Sequence, residues 1–211
     1  MMLNKIMINT QNSICIRAEK VIYIDPFKME QELHDADLIL ITHAHMDHFS
    51  PVDFQKAAKQ DTIFVMPKSM ERAALHSGIS KEKLILLKPE ERCVIEGIPV
   101  ETVPAYNIGK PMHPKENGWL SYVLTIDNTR IYICGDMDAT PEGKSVVCDI
   151  VIVPIGGTYT MNAKEAAEFV NELKPKTAIP CHYGSIVGRP EDAEVFCERV
   201  DKSIHVHKIL S

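Results

Sequence analysis

The stretch THAHMDHF, residues 42–49, holds three of the chain's nine histidines and an aspartate within the six positions His43 to His48. Imidazole nitrogen and carboxylate oxygen together suit zinc, manganese or iron. In extended chain, residues i and i+2 face the same side, so His43 and His45 can point their rings together while Asp47 and His48 follow as the chain turns. That spacing excludes the helical H-E-x-x-H arrangement, whose histidines stand one helical turn apart. Four ligand-type side chains on one short loop crowd a single ion; two adjacent ions, each taking part of the cluster, relieve the crowding. Two ions need further donors. Asp136, after Gly135, and His182 each stand just past an apolar run, the same location as the cluster. Alone, a Gly-Asp pair is usually a turn and a lone histidine a surface or packed residue. Beside the cluster, both become ligand candidates.

The cluster needs elements to hold it. Asp37–Thr42 (DLILIT) reads as a short strand covered on both faces. Serine, proline and an acid at Ser50, Pro51 and Asp53 signal a helix start, which puts the cluster on a strand-to-helix loop. Upstream, Lys5–Ile8, Ser13–Ala18 and Val21–Asp25 read as short strands. Downstream, strands are expected at Thr62–Met66, Leu84–Leu87, Cys93–Ile95 and Ile98–Val103, with a helix at Ser69–His76. Ser121–Ile126 and Arg130–Cys134 form a hairpin about residues 127–129. Val147–Ile155 and Thr177–Cys181 are further strands, Asn162 with Glu165 caps a helix through Leu173, and Pro190–Val200 is a last helix before Ile204–Ile209. Two strand-rich halves with helices predict two packed sheets with the helices outside. Tyr106–Gly118 (YNIGKPMHPKENG) lacks periodicity, and a loop of that length marks a functional segment.

At 211 residues, 45% of them hydrophobic, the chain fits one domain over 1–211 with a real core. Its 29 acids against 23 basic residues disfavour a nucleic-acid partner. No signal peptide and no bilayer-spanning apolar run is evident. Six cysteines without a C-x-x-C pair argue against a zinc ribbon, a thioredoxin-type motif or a disulfide framework, and point to a reducing cytoplasm. Oligomeric state is not legible.

H-x-H-x-D-H at 43–48, Gly135–Asp136 and His182, in that order and at those locations, resemble the metallo-β-lactamase-fold superfamily over essentially the whole chain. Ile24–Asp25–Pro26, residues 156–161 (GGTYTM) and 180–184 (PCHYG) look closest to its small bacterial lactonase-like and phospholipase-D-like hydrolases. The resemblance implies an α/β fold, a four-layer αββα sandwich with the metals at one edge. It assigns His43 and His45 to one metal, Asp47, His48 and His182 to a second, and Asp136 to the bridge between them. It further implies two divalent ions, zinc ahead of manganese or iron, and a bridging hydroxide that attacks an ester, lactone or phosphodiester of a small-molecule substrate. Asp47 would also handle a proton as the catalytic acid–base residue.

The sequence departs from this pattern in one place. The superfamily usually supplies a third histidine to the first metal from a loop midway along the chain, where residues 103–107 read VPAYN. His113, farther along the irregular loop, is the candidate to fill that position; otherwise Tyr106 or Asn107 would face the pocket. The missing histidine is the sole support for an alternative, a non-catalytic metal-binding or sensor protein of this fold. A di-iron oxidoreductase is a second alternative, disfavoured because His45 stands where such relatives carry glutamate. Among lesser candidates, Asp25 is either an acceptor that fixes a ligand histidine's tautomer or a turn aspartate before proline. Trp119, Cys134 and Cys181 read as packing residues. Lys115, Tyr159 and His113 are candidate contacts for an anionic group, and Ser185 with glycines 156, 157 and 184 could shape the pocket floor.

Overall fold

The computed structural model describes residues 2–210. Its strands are short and rich in β-branched residues, which pack well on a pleated surface. In chain order they begin with β1 (Ile6–Ile8), β2 (Ile14–Arg17), β3 (Val21–Ile24) and β4 (Ala36–Leu40). Then come α1 (Pro51–Ala57), β5 (Ala58–Pro67), α2 (Glu71–His76), β6 (Leu84–Leu87), β7 (Arg92–Ile95) and β8 (Ile98–Pro104). After the irregular loop follow β9 (Leu120–Ile126), β10 (Thr129–Ile133), α3 (Pro141–Lys144), β11 (Ile150–Pro154), α4 (Ala163–Leu173), β12 (Thr177–Cys181), α5 (Asp192–Arg199) and β13 (His205–Val206).

Two sheets result, ordered β1-β2-β3-β4-β5-β6 and β13-β12-β11-β10-β9-β8-β7. Each is antiparallel over one half and parallel over the other: β3 to β6 are parallel in the first, β10 to β13 in the second. Side-chain alternation decides which residues face which layer. Ile22, Ile24, Leu38 and Leu40 point inward and meet Tyr122, Leu124, Ile131, Ile133 and Ile152 in the core between the sheets. Their neighbours Tyr23 and Ile39 point outward into a cluster with Phe54 and Ala57 of α1 and Ala74 of α2. On the far side, Ala163, Ala166, Ala167 and Val170 give α4 one apolar stripe, packed with Phe196 of α5 against Val151 and Val153. This is the expected αββα layering.

Local signals placed the elements. Asn162 and Glu165 close a capping box on α4. Asp127 and Asn128 both have positive φ, as the two-residue turn of the β9–β10 hairpin requires. One expectation needs correction, and two short elements were not anticipated. Val147–Ile155 becomes strand only from Ile150, because Val147 is exposed and its carbonyl accepts from Arg130 Nε. Ile204–Ile209 pairs over two residues alone. The short helix α3 was not anticipated, although Thr140–Pro141 carries its signal: Thr140 Oγ1 accepts from Gly143 N at 3.1 Å.

Candidate metal centre

Four parallel-half strands carry the site at their carboxyl ends. Asp25 follows β3, Thr42 and His43 follow β4, Asp136 follows β10, and His182 follows β12. His45, Asp47 and His48 lie on the turn between β4 and α1, where the His48 and Phe49 amides donate to the His45 carbonyl. His113 arrives from the 106–118 loop. The seven residues singled out as donors therefore converge from both sheets.

Their donor atoms fall into three overlapping groups, each within 4.8 Å: His43, His45 and His113; His43, His48 and Asp136; and Asp47, His48 and His182. Asp136 stands in the middle. Its Oδ2 lies 3.4 Å from His113 Nε2 and 4.0 Å from His43 Nε2, and its Oδ1 lies 3.4 Å from His48 Nε2 and 3.3 Å from His182 Nε2. Asp47 Oδ2 is 3.5 Å from His48 Nε2 and 3.4 Å from His182 Nε2.

The outer nitrogens explain why the inner ones are free. Thr42 Oγ1 donates to Asp25 Oδ2 at 2.6 Å, so its lone pair accepts from His43 Nδ1 at 3.0 Å. Asp25 Oδ2 accepts from His48 Nδ1 at 2.7 Å. Asn107 Oδ1 accepts from His113 Nδ1 at 2.9 Å. Each partner fixes a tautomer and turns Nε2 inward. Asp25 is thus a tautomer-fixing acceptor and also a turn residue, with φ of 46°. Asn12 Nδ2 and the Thr42 amide complete its four hydrogen bonds.

The arrangement fits cations and little else. His113 Nε2, Asp136 Oδ1 and His182 Nδ1 are buried without a hydrogen-bond partner among the described residues. With His113 Nδ1 donating outward, its Nε2 lone pair meets a carboxylate oxygen 3.4 Å away, acceptor against acceptor. His43 Nε2 and His45 Nδ1 approach to 3.1 Å, and His48 Nε2 and His182 Nε2 to 3.2 Å. Only protons or metal ions reconcile such contacts.

Charge follows the same geometry. Burial opposes the Asp136 anion, but the surrounding His182, His48, His113 and His43 rings outweigh it and hold the carboxyl well below its usual range. Burial, with His48 beside it, pushes His43 well below the ordinary imidazole value, and burial with His113 lowers His45. Burial also opposes charge on His48, yet Asp136 and Asp25 prevail and lift it to about 9. Asp47 is lowered: burial works against it, and His182 and His48 overcome that.

Other residues find different roles. Trp119 is buried as expected, but against the histidines, 4.9 Å from the His43 and His45 rings and 5.3 Å from His113 between centroids. Cys134 and Cys181 are buried; Cys181 Sγ lies 3.3 Å from Asn12 Oδ1. The Lys115 ammonium is engaged by Glu142 at 2.6 Å, which also accepts from Tyr106, so it is not a free anion contact. Gly156 has a close approach to serve: a Cβ there would stand 2.2 Å from the His182 carbonyl oxygen. Thr42, Asn12 and the supporting role of Asn107 were missed. Thr42 had a signal in its place beside the cluster; Asn12 had none.

Comparison with known proteins agrees with the geometry. The family model described as a beta-lactamase superfamily domain matches residues 9–182. The UPF0173 metal-dependent hydrolase of Thermococcus onnurineus is 30% identical over 205 residues, covering 90% of this chain and 89% of its own. A crystal structure of a candidate metal-dependent hydrolase from Parabacteroides distasonis is 29% identical, with a TM-score of 0.79 over 98% of this chain and 93% of that one. The diiron beta-hydroxylase CmlA of Streptomyces venezuelae, 14% identical with a TM-score of 0.76 over 97% of this chain and 52% of its own, shares the fold alone. By sequence match and by structure alike, the chain belongs to the beta-lactamase superfamily, among its metal-dependent hydrolases.

Proposed function

We propose that the chain, as one domain over 1–211, is a binuclear metal-dependent hydrolase of a small-molecule ester, lactone or phosphodiester. One observation carries it: the three donor groups interlock through His43 and His48, and the two oxygens of buried Asp136 lie 3.3–4.0 Å from ring nitrogens belonging to all three. His43, His45 and His113 would hold one ion, Asp47, His48 and His182 the other, and Asp136 would serve both. Zinc suits this nitrogen-rich set best, with manganese or iron able to substitute. Bound there, two cations supply a water deprotonated at neutral pH and a Lewis-acidic centre for the developing oxyanion.

The chain's own residues do the rest. Thr42, Asp25 and Asn107 hold three rings in one tautomer, so the donor atoms need no reorganisation. Asp47 is more accessible than Asp136, with 13% against 4% of its side chain exposed. That accessibility makes Asp47 the carboxylate placed to take up a proton and return it to a leaving group. Trp119 packs on the first triad, in which His43 and His113 are buried and His45 stays partly open to solvent. Exposed Met46 and Met112 adjoin donors in sequence, exposed Ile108 and Ile186 lie within five residues of one, and these side chains favour a substrate with an apolar portion over a nucleic-acid backbone. Among the described residues no helix is long and apolar enough to cross a membrane. A reducing cytoplasm accords with six free cysteines.

The test is turnover. Zinc- or manganese-loaded protein should hydrolyse at least one of a panel of aryl esters, lactones and bis-aryl phosphodiesters, with loss on chelation and recovery on metal return. Fully loaded protein inert on all three classes would sink the hydrolase reading.

A further inference from the structure

Asn107 occupies the stretch from which the usual midway histidine is missing, and it grips the histidine that replaces it. Its backbone amide donates to the His113 carbonyl at 2.8 Å, closing the loop, while its Oδ1 accepts from His113 Nδ1 at 2.9 Å. The amide cannot be reversed, because its Nδ2 donates to the Tyr159 carbonyl at 2.9 Å, and a carbonyl only accepts. The loop is pinned independently by Asp138, which takes the Ile108 amide at 2.8 Å and the Lys110 ammonium. Lys110 also donates to the Thr160 carbonyl at 2.8 Å. His113 and Asn107 are both buried.

We propose that Asn107 is the positioning residue that delivers His113 as a donor, and that its neutral amide makes His43–His45–His113 the weaker of the two triads. This rests on the two-ion reading above. The asymmetry follows from what backs His48 and what backs His113. Behind His48 stands the Asp25 carboxylate at 2.7 Å, a charge-assisted bond that raises imidazole basicity; behind His113 stands an uncharged amide at 2.9 Å. The second triad also contains the Asp47 carboxylate, whereas the first consists of histidines alone, with Asp136 Oδ2 3.4 Å from His113 Nε2 and 4.0 Å from His43 Nε2. His182 directly follows β12, while His113 hangs from a loop whose course Asn107 closes.

Two variants separate positioning from simple packing. Asn107→Leu keeps the volume but removes the acceptor. Asn107→Asp keeps the acceptor, now as a carboxylate, and puts an oxygen in place of the donor that faces the Tyr159 carbonyl. Zinc titration of metal-free protein against a chromophoric chelator should show two steps in the wild type. In Asn107→Leu the weaker step should fall about 10–100-fold with the tighter step unmoved. Asn107→Asp should hold the weaker step at or above wild-type affinity. Equal losses in both variants, or an unchanged Leu variant, overturn the proposal. Ring nitrogen shifts of ¹⁵N-histidine in the metal-free protein give a second readout: His113 should be the Nδ1–H tautomer in the wild type and lose that bias in Asn107→Leu. A ring indifferent to the substitution overturns the positioning role. A wild type that saturates at one zinc refutes the two-ion reading and the ranking of triads with it, while the ring shifts still decide what Asn107 does.

Discussion

Asp25→Asn should damage both the fold and the metal centre, by an amount the structure allows to be worked out. The Asp25 carboxylate is fully buried and accepts four hydrogen bonds: Oδ1 from the Thr42 amide, and Oδ2 from Thr42 Oγ1, Asn12 Nδ2 and His48 Nδ1. Asparagine keeps the volume but turns one oxygen into a donor group, leaving part of this set facing N–H, and it removes the charge opposite a His48 lifted to about 9. Removing one partner of a buried pair costs about 3–5 kcal/mol, since the other charge is left uncompensated. For a chain of this size that lowers the melting temperature by roughly 6–20 °C. Denaturant unfolding in chelator, at pH 7, measures the cost without metal. Zinc titration should then show about 10–100-fold weaker binding at the triad containing His48. A metal-free destabilisation under about 1 kcal/mol with unaltered zinc affinity would refute the reasoning.

The remaining expectations follow from the same contacts. Because His48 is protonated up to about 9 in the metal-free chain, zinc uptake at pH 7 should release protons, measurable by calorimetry in buffers of differing ionisation enthalpy. The sign follows from a folded value raised above the ordinary 6.5. His48's contribution to metal-free stability is complete below that value and lost as pH rises through about 9, while zinc affinity climbs over the same window; affinity that falls with pH there would contradict the assignment. Gly156→Ala should cost about 1–3 kcal/mol and loosen the His182 side of the centre, because the His182 backbone cannot yield a 2.2 Å contact; a normal melting curve and normal zinc content would contradict it. Asn162→Ala is the control: loss of the α4 capping box should cost about 1 kcal/mol in unfolding and leave zinc content untouched.

What could be read in the sequence was local. The Asn162–Glu165 box and the Asp127–Asn128 turn are decided by residues within a few positions of each other, and both form as expected. The continuous apolar run of β4 likewise announced burial on both faces: Leu38 and Leu40 face the central core, and Ile39 packs on the opposite side with Phe54 and Ala57. Even close signals can be satisfied differently: Ser50 begins α1, but its hydroxyl donates to the Asp53 carboxylate at 2.7 Å and makes no side-chain bond to the helix backbone. The six-position motif marked the cluster because four donor residues stand together. Where His113 goes could not be read, since its approach depends on Asp138, Thr160 and Tyr159, each more than 20 residues away in sequence. Trp119's contact with the histidines was hidden for the same reason. Asp25 was ambiguous because a turn aspartate and a histidine partner look alike until β3 and β4 are paired side by side.

The most direct measurement is zinc content per chain by elemental analysis, after purification without chelator and reconstitution, for the wild type beside Asp136→Ala. Two ions per wild-type chain and fewer than one in the variant are expected, because one carboxylate stands between both donor sets. A wild type that holds one ion or none, or a variant that keeps two, would contradict a shared binuclear centre.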